Sequence, residues 1–248
     1  MRVDFVLGTV FVIPLTQMVF FAFVVKLGSA GEGASAIANA IAYTALGNAV
    51  ATVTYSSVFS VAQTTDSEKF QGTMEHLLVS PANRLALYFG RGLVPILISL
   101  ATVTMGLVYA AFFFGVTIAP PEIPSIAVSV VLTAVAMVGF GLLLGGVALY
   151  LRTSIILGNI FLFVGLLLSG VNFPLSQLPV PLQYAGDALP LTWGVAAIRA
   201  AVSGAPLPSL LLLWGAVALA AGIAFASAIV LWEVFERRAL STGSIARY

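Results

Sequence analysis

The residues of this chain that could do chemistry are few, and one set of them is ordered. Placed at 100° per residue on a helix, Thr44, Asn48, Thr52, Tyr55, Phe59 and Gln63 fall within an arc of about 100°, with Leu46, Val50, Val53 and Val61 on the other side. Hydroxyl, amide and aromatic groups in one stripe serve one of two ends. They hydrogen-bond between helices, or they offer polar contacts and ring faces to an amphiphilic molecule moving along the helix. Asn159 and Phe163, one helical turn apart, add a second pair of the same kind.

Other chemistry is excluded. No Gly is followed by Lys, so no G-x-x-x-x-G-K-[ST] loop exists to cradle nucleotide phosphates. With no cysteine there are no disulfides, thiolate metal sites or cysteine nucleophiles. A single histidine, His76, leaves no imidazole cluster for a metal and no place for a His-dependent triad within an apolar stretch. The apolar stretches also lack the acidic, basic or histidine groups with which ion-coupled carriers commonly hold a driving ion. If the protein moves anything uphill, the energy is expected to come from another subunit.

The elements that must position these residues follow from composition. Of 248 residues, 60% are hydrophobic and 8% charged, with a mean hydropathy of +1.11, against roughly 25% charged in a soluble domain. The charges leave six free runs, 5–25, 33–65, 92–121, 123–151, 153–186 and 200–232, each at least 21 residues long. A bilayer-spanning helix needs about 20 residues. The expected fold is an all-α membrane protein of one domain over residues 1–248. Its six spans are placed near Phe5 to Leu27, Ala38 to Val61, Leu93 to Gly115, Ile126 to Leu151, Ile155 to Val171 and Leu210 to Trp232. Arg2 and Ala34-Ser35-Ala36 mimic the ends of a secretory signal, but the 21-residue apolar stretch between them exceeds the roughly 7–15 of a signal core. It is therefore taken as the first span.

With the N-terminus inside, the inner side carries Arg2, Lys69, Arg84, Arg91, Arg152, Arg237, Arg238 and Arg247, and the outer side only Lys26 and Arg199. That asymmetry predicts both termini in the cytoplasm. Basic residues at span ends, with a net charge of +1, do not form a nucleic-acid surface. Trp232, ending the last span, and Trp193 are expected at the interfaces.

Two stretches are neither spans nor simple loops. In residues 62–91, on the inner side, Phe70, Met74, Leu77, Leu78 and Pro81 share one helix face, with Glu68, Gln71, Glu75 and His76 away from it. Such a helix lies on the membrane surface or docks on a partner. In residues 169–208, outside, Pro174, Pro179, Pro181 and Pro190 delimit Val180 to Ala188 and Leu191 to Val202, each too short to cross. Leu191, Val195, Ile198 and Val202 make an apolar stripe, so these segments are expected to pack against the spans as a re-entrant pair, with Asp187 and Arg199 as interfacial anchors. Close pairs of small residues, Gly141 with Gly145 and Gly165 with Ser169, are expected to pack helices within the subunit.

The segment from Glu68 through Gly72-Thr73-Met74-Glu75-His76-Leu77-Leu78-Val79-Ser80-Pro81 resembles the "E…GT-hydrophobic-E-x-LL-x-(S/T)-P" stretch of type-2 ABC transporter permeases. Ser169-Gly170-Val171-Asn172-Phe173-Pro174 through Leu178-Pro179, then Leu189-Pro190-Leu191-Thr192 and Ile198-Arg199 to Gly204, is similar to that family's later "SG-x-x-FP-x-x-x-LP … LP-(L/F)-T … R-x-x-x-x-G" region. The two motifs stand in the right order and, with the six spans, the resemblance covers nearly the whole chain.

The resemblance implies the permease subunit of an ATP-driven exporter at a bacterial plasma membrane. It implies no catalytic residue and no cofactor or metal in this chain, with ATP and Mg on two separately encoded ATPase subunits, and a second six-span subunit, identical or different. Drugs, lipids and glycans are all moved by proteins of this kind. Glu68, Gln71, Gly72, Thr73, Glu75, His76 and Leu77 then belong to a coupling helix seated on the ATPase. Phe173, Pro174, Pro179, Pro190 and Arg199 belong to short outer helices over the translocation path, and Asn48, Thr52, Tyr55, Phe59, Asn159 and Phe163 are the expected path residues. Family members carry an amphipathic stretch before the first span, whereas here only Met1 to Asp4 precede it. A self-contained channel or secondary carrier is the alternative, disfavoured by the missing intramembrane charges.

Overall fold

A computed structural model describes residues 7–29, 33–59, 84–150 and 154–242. Every regular element among them is helical. Helix α1 (Gly8–Gly28) opens with a π-helical turn, and α2 (Ala34–Thr54) closes with one, Tyr55–Phe59. Then come α3 (Arg84–Phe113), α4 (Ile123–Tyr150), α5 (Ser154–Leu168), the short α6 (Val180–Asp187) and α7 (Pro190–Val202), and α8 (Leu207–Thr242). The expected coupling segment, with Glu68, Gln71, Gly72, Thr73, Glu75, His76 and Leu77, lies outside the described residues.

Proline sets several helix starts, because its fixed φ suits the first turn, where its missing N–H has no intrahelical partner to lose. Pro14, Pro181 and Pro190 sit in the first turns of the α-helical part of α1, of α6 and of α7. Helix α4 follows the 3-10 turn Pro120–Glu122, where Glu122 Oε2 accepts from the Ala119 N–H at 3.1 Å.

Five helices are long and apolar enough to cross a membrane: Gly8–Gly28, Ala34–Val58, Gly92–Phe113, Pro120–Val147 and Leu207–Val234. The stretch expected as a fifth of six spans is instead the 15-residue α5. At 1.5 Å per residue it is about 22 Å long, against a hydrocarbon core of about 30 Å. Two other expected bounds move outward. Helix α3 begins at Arg84 rather than Leu93, and α8 runs to Thr242 rather than Trp232, because a helix does not stop where its hydropathy does. Trp232 stays near the end of the apolar span, two residues before Val234, with its indole buried and Nε1 donating to the Leu142 carbonyl at 3.2 Å.

Helix α4 is the hub, packed against α8, α7 and α3, while α2 packs against α1, α3 and α7. Small residues let these backbones close up. A Cβ on Gly106 of α3 would stand 2.9 Å from Ala49 Cα of α2, and one on Gly139 of α4 would stand 2.8 Å from the Phe225 ring of α8. Gly141 and Gly145 are buried in the same helix. Helix α5 stands at the edge, held to α4 by the stacked rings of Phe140 and Phe161, 4.3 Å between centroids, and it leaves Ile156, Ile160, Phe163 and Leu167 exposed.

The radial distribution is that of a protein in lipid. Phe20, Leu27, Phe112 and Leu212 face outward, while Thr44, Asn48, Thr52, Ser56, Ser57, Ser99, Thr102, Ser129 and Thr133 are buried. Most of the buried hydroxyls donate to a carbonyl one turn back, as Thr52 does to Ala49 at 2.6 Å and Thr133 to Ser129 at 2.6 Å. In hydrocarbon a hydroxyl must find its partner inside the protein.

Candidate functional site: a pinned segment against the second helix

The polar stripe of α2 meets the chain that leaves α5. Helix α5 ends where the Ser169 hydroxyl donates to the Gly165 carbonyl and Gly170 turns the backbone with φ of 70°. A side chain there would clash in this left-handed conformation, which glycine adopts freely. The turn carries residues 170–172 across α2, and three contacts fasten them. The Tyr43 hydroxyl donates to the Gly170 carbonyl at 3.2 Å. Thr44 Oγ1 lies 3.4 Å from the Asn172 carbonyl while also bonding Ala40 at 2.8 Å. Asn48 Nδ2 donates to Asn172 Oδ1 and to the Thr44 carbonyl, both at 2.9 Å.

Arg199, from α7, completes the pin. Its Nη1 donates to the Gly170 carbonyl at 2.7 Å, and its Nη2 donates to the carbonyls of Val171 at 2.8 Å and Tyr43 at 2.9 Å. The guanidinium carbon lies 3.5 Å from the centroid of the Tyr43 ring. One planar cation therefore ties three elements, using a fork of donors that lysine lacks. Burial in a segment too short to span pulls the pKa of Arg199 below the usual guanidinium range to about 10, against the upward pull of Tyr43, so the side chain stays charged at neutral pH. Gly47 lies under the fork, where a Cβ would collide with the Val171 carbonyl and stand 2.5 Å from Nη2. Two buried atoms here, Asn48 Oδ1 and Arg199 Nε, have no hydrogen-bond partner among the described residues.

The apolar stripe of α7 holds Arg199 in place. Leu191, Val195 and Ile198 are fully buried and Val202 is half-buried. Gly194 fits against Thr133 of α4 where no larger residue would. Helix α6 is seated by Thr192 Oγ1, which donates to the Gly186 carbonyl at 2.5 Å, and by Trp193 Nε1, which donates to the Asp187 carbonyl at 2.8 Å. Farther along α2, Ser99 of α3 sits between Ser56 and Ser57, 2.8 Å from each hydroxyl, beside the π-helical turn Tyr55–Phe59. Among the described residues no group of three or more His, Asp or Glu is placed to hold a metal ion.

The expected path residues divide. Asn48 and Thr52 are buried within the subunit, Tyr55 and Asn159 are half-buried and hydrogen-bonded or otherwise engaged, and Phe163 is 69% exposed. Of Phe59 the backbone alone is described. Phe173 is half-buried, Pro174 and Pro179 are exposed, and Pro190 is buried. Tyr43, Gly47 and Asn172, which complete the pin, were not among the expected site residues. Tyr43 and Gly47 each directly precede a residue of the stripe, Thr44 and Asn48, one turn apart, and that adjacency was the available signal.

A bundle with lipid-compatible walls, polar groups turned inward and several helices long and apolar enough to cross a bilayer is a multi-pass α-helical membrane protein. The family model described as "ABC-2 type transporter" matches residues 1–202, so the chain belongs to that family and is an ABC transporter permease. Two curated relatives, both "Probable multidrug ABC transporter permease YbhR", from Escherichia coli strain K12 and from Escherichia coli O157:H7, are each 28% identical over 129 residues. That stretch is 51% of this chain and 32% of each relative's length. No solved structure matches the chain.

Proposed function

We propose that this chain is the membrane subunit of an ATP-driven exporter that moves a hydrophobic or amphiphilic molecule, of the drug, lipid or glycan class, across a bacterial plasma membrane. Its membership of the ABC-2 family carries the reading. The relatives' designation as probable multidrug ABC transporter permeases favours an amphiphilic substrate. The chain has no phosphate-cradling loop, so ATP and Mg would sit on two copies of a separate ATPase subunit. That ATPase would dock on the 66–80 helix through Glu68, Gln71, Gly72, Thr73, Glu75, His76 and Leu77. A second permease subunit, the same or a homologue, would complete the path.

In this reading the protein has six spans, α5 being the short one, and both termini lie inside. What supports this is the order of charges along the helices: Arg84 and Arg91 come early in α3 and Arg237 and Arg238 late in α8, while Lys26 comes late in α1, as a positive-inside arrangement of alternating spans requires. The pinned segment would close the outer end. ATP-driven movement of α2 would strip Asn172 from Asn48, and the amide so uncovered, with Tyr55, Phe163 and Asn159, would offer a substrate both hydrogen bonds and ring faces.

The test is uptake of a fluorescent amphiphile into inverted vesicles containing the chain together with a phosphate-loop ATPase that co-purifies with it. Uptake that needs both proteins and hydrolysable ATP is expected. Uptake by the permease alone, driven by an ion gradient, would instead make the chain a secondary carrier.

A further inference from the structure

A groove of about 390 Å³ runs between α4, α7 and α8. That lies within the roughly 300–1,000 Å³ of small-molecule sites. It extends along α8 from Ala216 to Ser227, twelve residues, or about 16 Å of helix. Its walls are apolar, with Phe140 and Leu143 on α4 and Leu219 and Ile223 on α8. The last two are 66% and 59% exposed, so the groove opens sideways on the face turned to lipid. Asp187, at the end of α6, is the one formally charged residue among the described residues that line it, and Trp193 lines it too, its indole bonded to the Asp187 carbonyl. No described residue forms an ion pair with the exposed Asp187 carboxylate.

We infer that this groove binds a single-chain cationic amphiphile, with an ammonium head between the Asp187 carboxylate and the Trp193 ring and an alkyl chain lying along α8. Charge complementarity selects the head. An anion in the carboxylate's place of contact is repelled, and an indole face attracts a cation. The volume of about 390 Å³ and the length of about 16 Å along α8 suit one chain of about a dozen carbons rather than the paired chains of a phospholipid. A second lateral groove serves as an internal contrast. It is about 490 Å³, lies along α1, and carries Lys26 among Leu15, Val19, Phe23 and Phe113, so its charge favours the opposite head. The inference rests on the groove alone and holds whatever molecule the α2 path carries.

The test uses the purified permease in phosphatidylcholine nanodiscs and tritiated dodecyltrimethylammonium, with empty nanodiscs as the background. Saturable binding is expected, competed by unlabelled dodecyltrimethylammonium and much less by dodecanol or dodecyl sulfate. Asp187→Asn should weaken it about fivefold, the scale of an exposed ion pair. Ala220→Leu, which fills the groove floor, should remove it. If Ala220→Leu does not fold, the Asp187→Asn comparison decides. The inference is overturned by the absence of a saturable component, by Asp187→Asn binding like the parent, by dodecyl sulfate competing as well as the cation, or by co-purified phospholipid that the cation fails to displace.

Discussion

Arg199 holds its place by donating to three backbone carbonyls and stacking on one ring, and this determines what its loss would do. Replacing it with alanine removes the cation and leaves the carbonyls of Gly170, Val171 and Tyr43 short of donors. Lysine keeps the charge but cannot spread it over the same fan of acceptors. Hydrogen bonds from a charged donor are worth about 1.5–3 kcal/mol, so Arg199→Lys should lower stability by about that much and Arg199→Ala by more. Tyr43→Phe keeps the ring under the guanidinium and loses one hydroxyl bond, so its cost should be about 1 kcal/mol. Melting temperatures of the three variants in one detergent check the order, and equal losses would mean that the fan of carbonyls is not what matters. Gly47 gives a sharper test of the pin itself. A methyl there meets a backbone carbonyl, which cannot swing aside as a side chain can, so Gly47→Ala should lift residues 170–172 off α2 while the helices stay packed. The chain lacks cysteine, so a single cysteine placed at position 172 reports the change. It should label slowly in the parent and at least several-fold faster beside Gly47→Ala. The stripe on α2 was legible because polar residues at helical spacing stand out in an apolar run. Arg199 read as an interfacial anchor because its partners are main-chain carbonyls, which have no signature in a sequence.

At the scale of elements, α2 and α3 are joined in two ways that can be weighed against each other. The hydroxyls of Ser56, Ser57 and Ser99 form one buried cluster, and interhelical hydrogen bonds in membranes average about 0.6 kcal/mol with a maximum near 1.7. The close approach of Gly106 to Ala49 has no such tolerance, since overpacking costs about 1–3 kcal/mol and the obstacle here includes backbone. Gly106→Val should therefore destabilise the bundle more than Ser99→Ala, as unfolding in denaturant can show, and the reverse order would mean that the hydroxyl cluster dominates the interface. Packing of this kind also explains which bounds were legible. Proline starts and apolar stripes placed α6 and α7 to within a residue, and Leu191, Val195 and Ile198 are buried as their spacing required. The nine residues before Leu93 and the ten after Trp232 are helical although their charges end the apolar runs, and α5 stops short because Ser169 and Gly170 turn the chain beneath α2. Hydropathy marks where a helix meets lipid and is silent on where it ends.

For the whole molecule, if the pinned segment closes the outer end of the proposed path, the drive that opens it would arrive from the opposite end. Helices α2 and α3 are the elements that flank residues 60–83, and both are rigidly joined to the core through Ala49, Gly106 and the serine cluster. A push applied between them would travel along α2 to Asn48 and Tyr43 without passing through α5 or α8. This makes the polar face proposed for the 66–80 helix a lever whose loss should leave the fold alone. Glu75 is the most informative position on that face, because a charge at the rim of an interface governs docking and contributes little to packing in the bilayer. Glu75→Arg should keep the melting temperature of the isolated permease within a degree or two of the parent, and should keep the slow labelling of a cysteine at 172. It should abolish co-purification with the ATPase and, with it, ATP-dependent uptake. A variant that still binds the ATPase but no longer accelerates labelling at 172 when ATP is added would place the break in transmission rather than docking. Full association and full transport in Glu75→Arg would show that this face does not meet the ATPase, and the lever would then have to be sought elsewhere along residues 62–91.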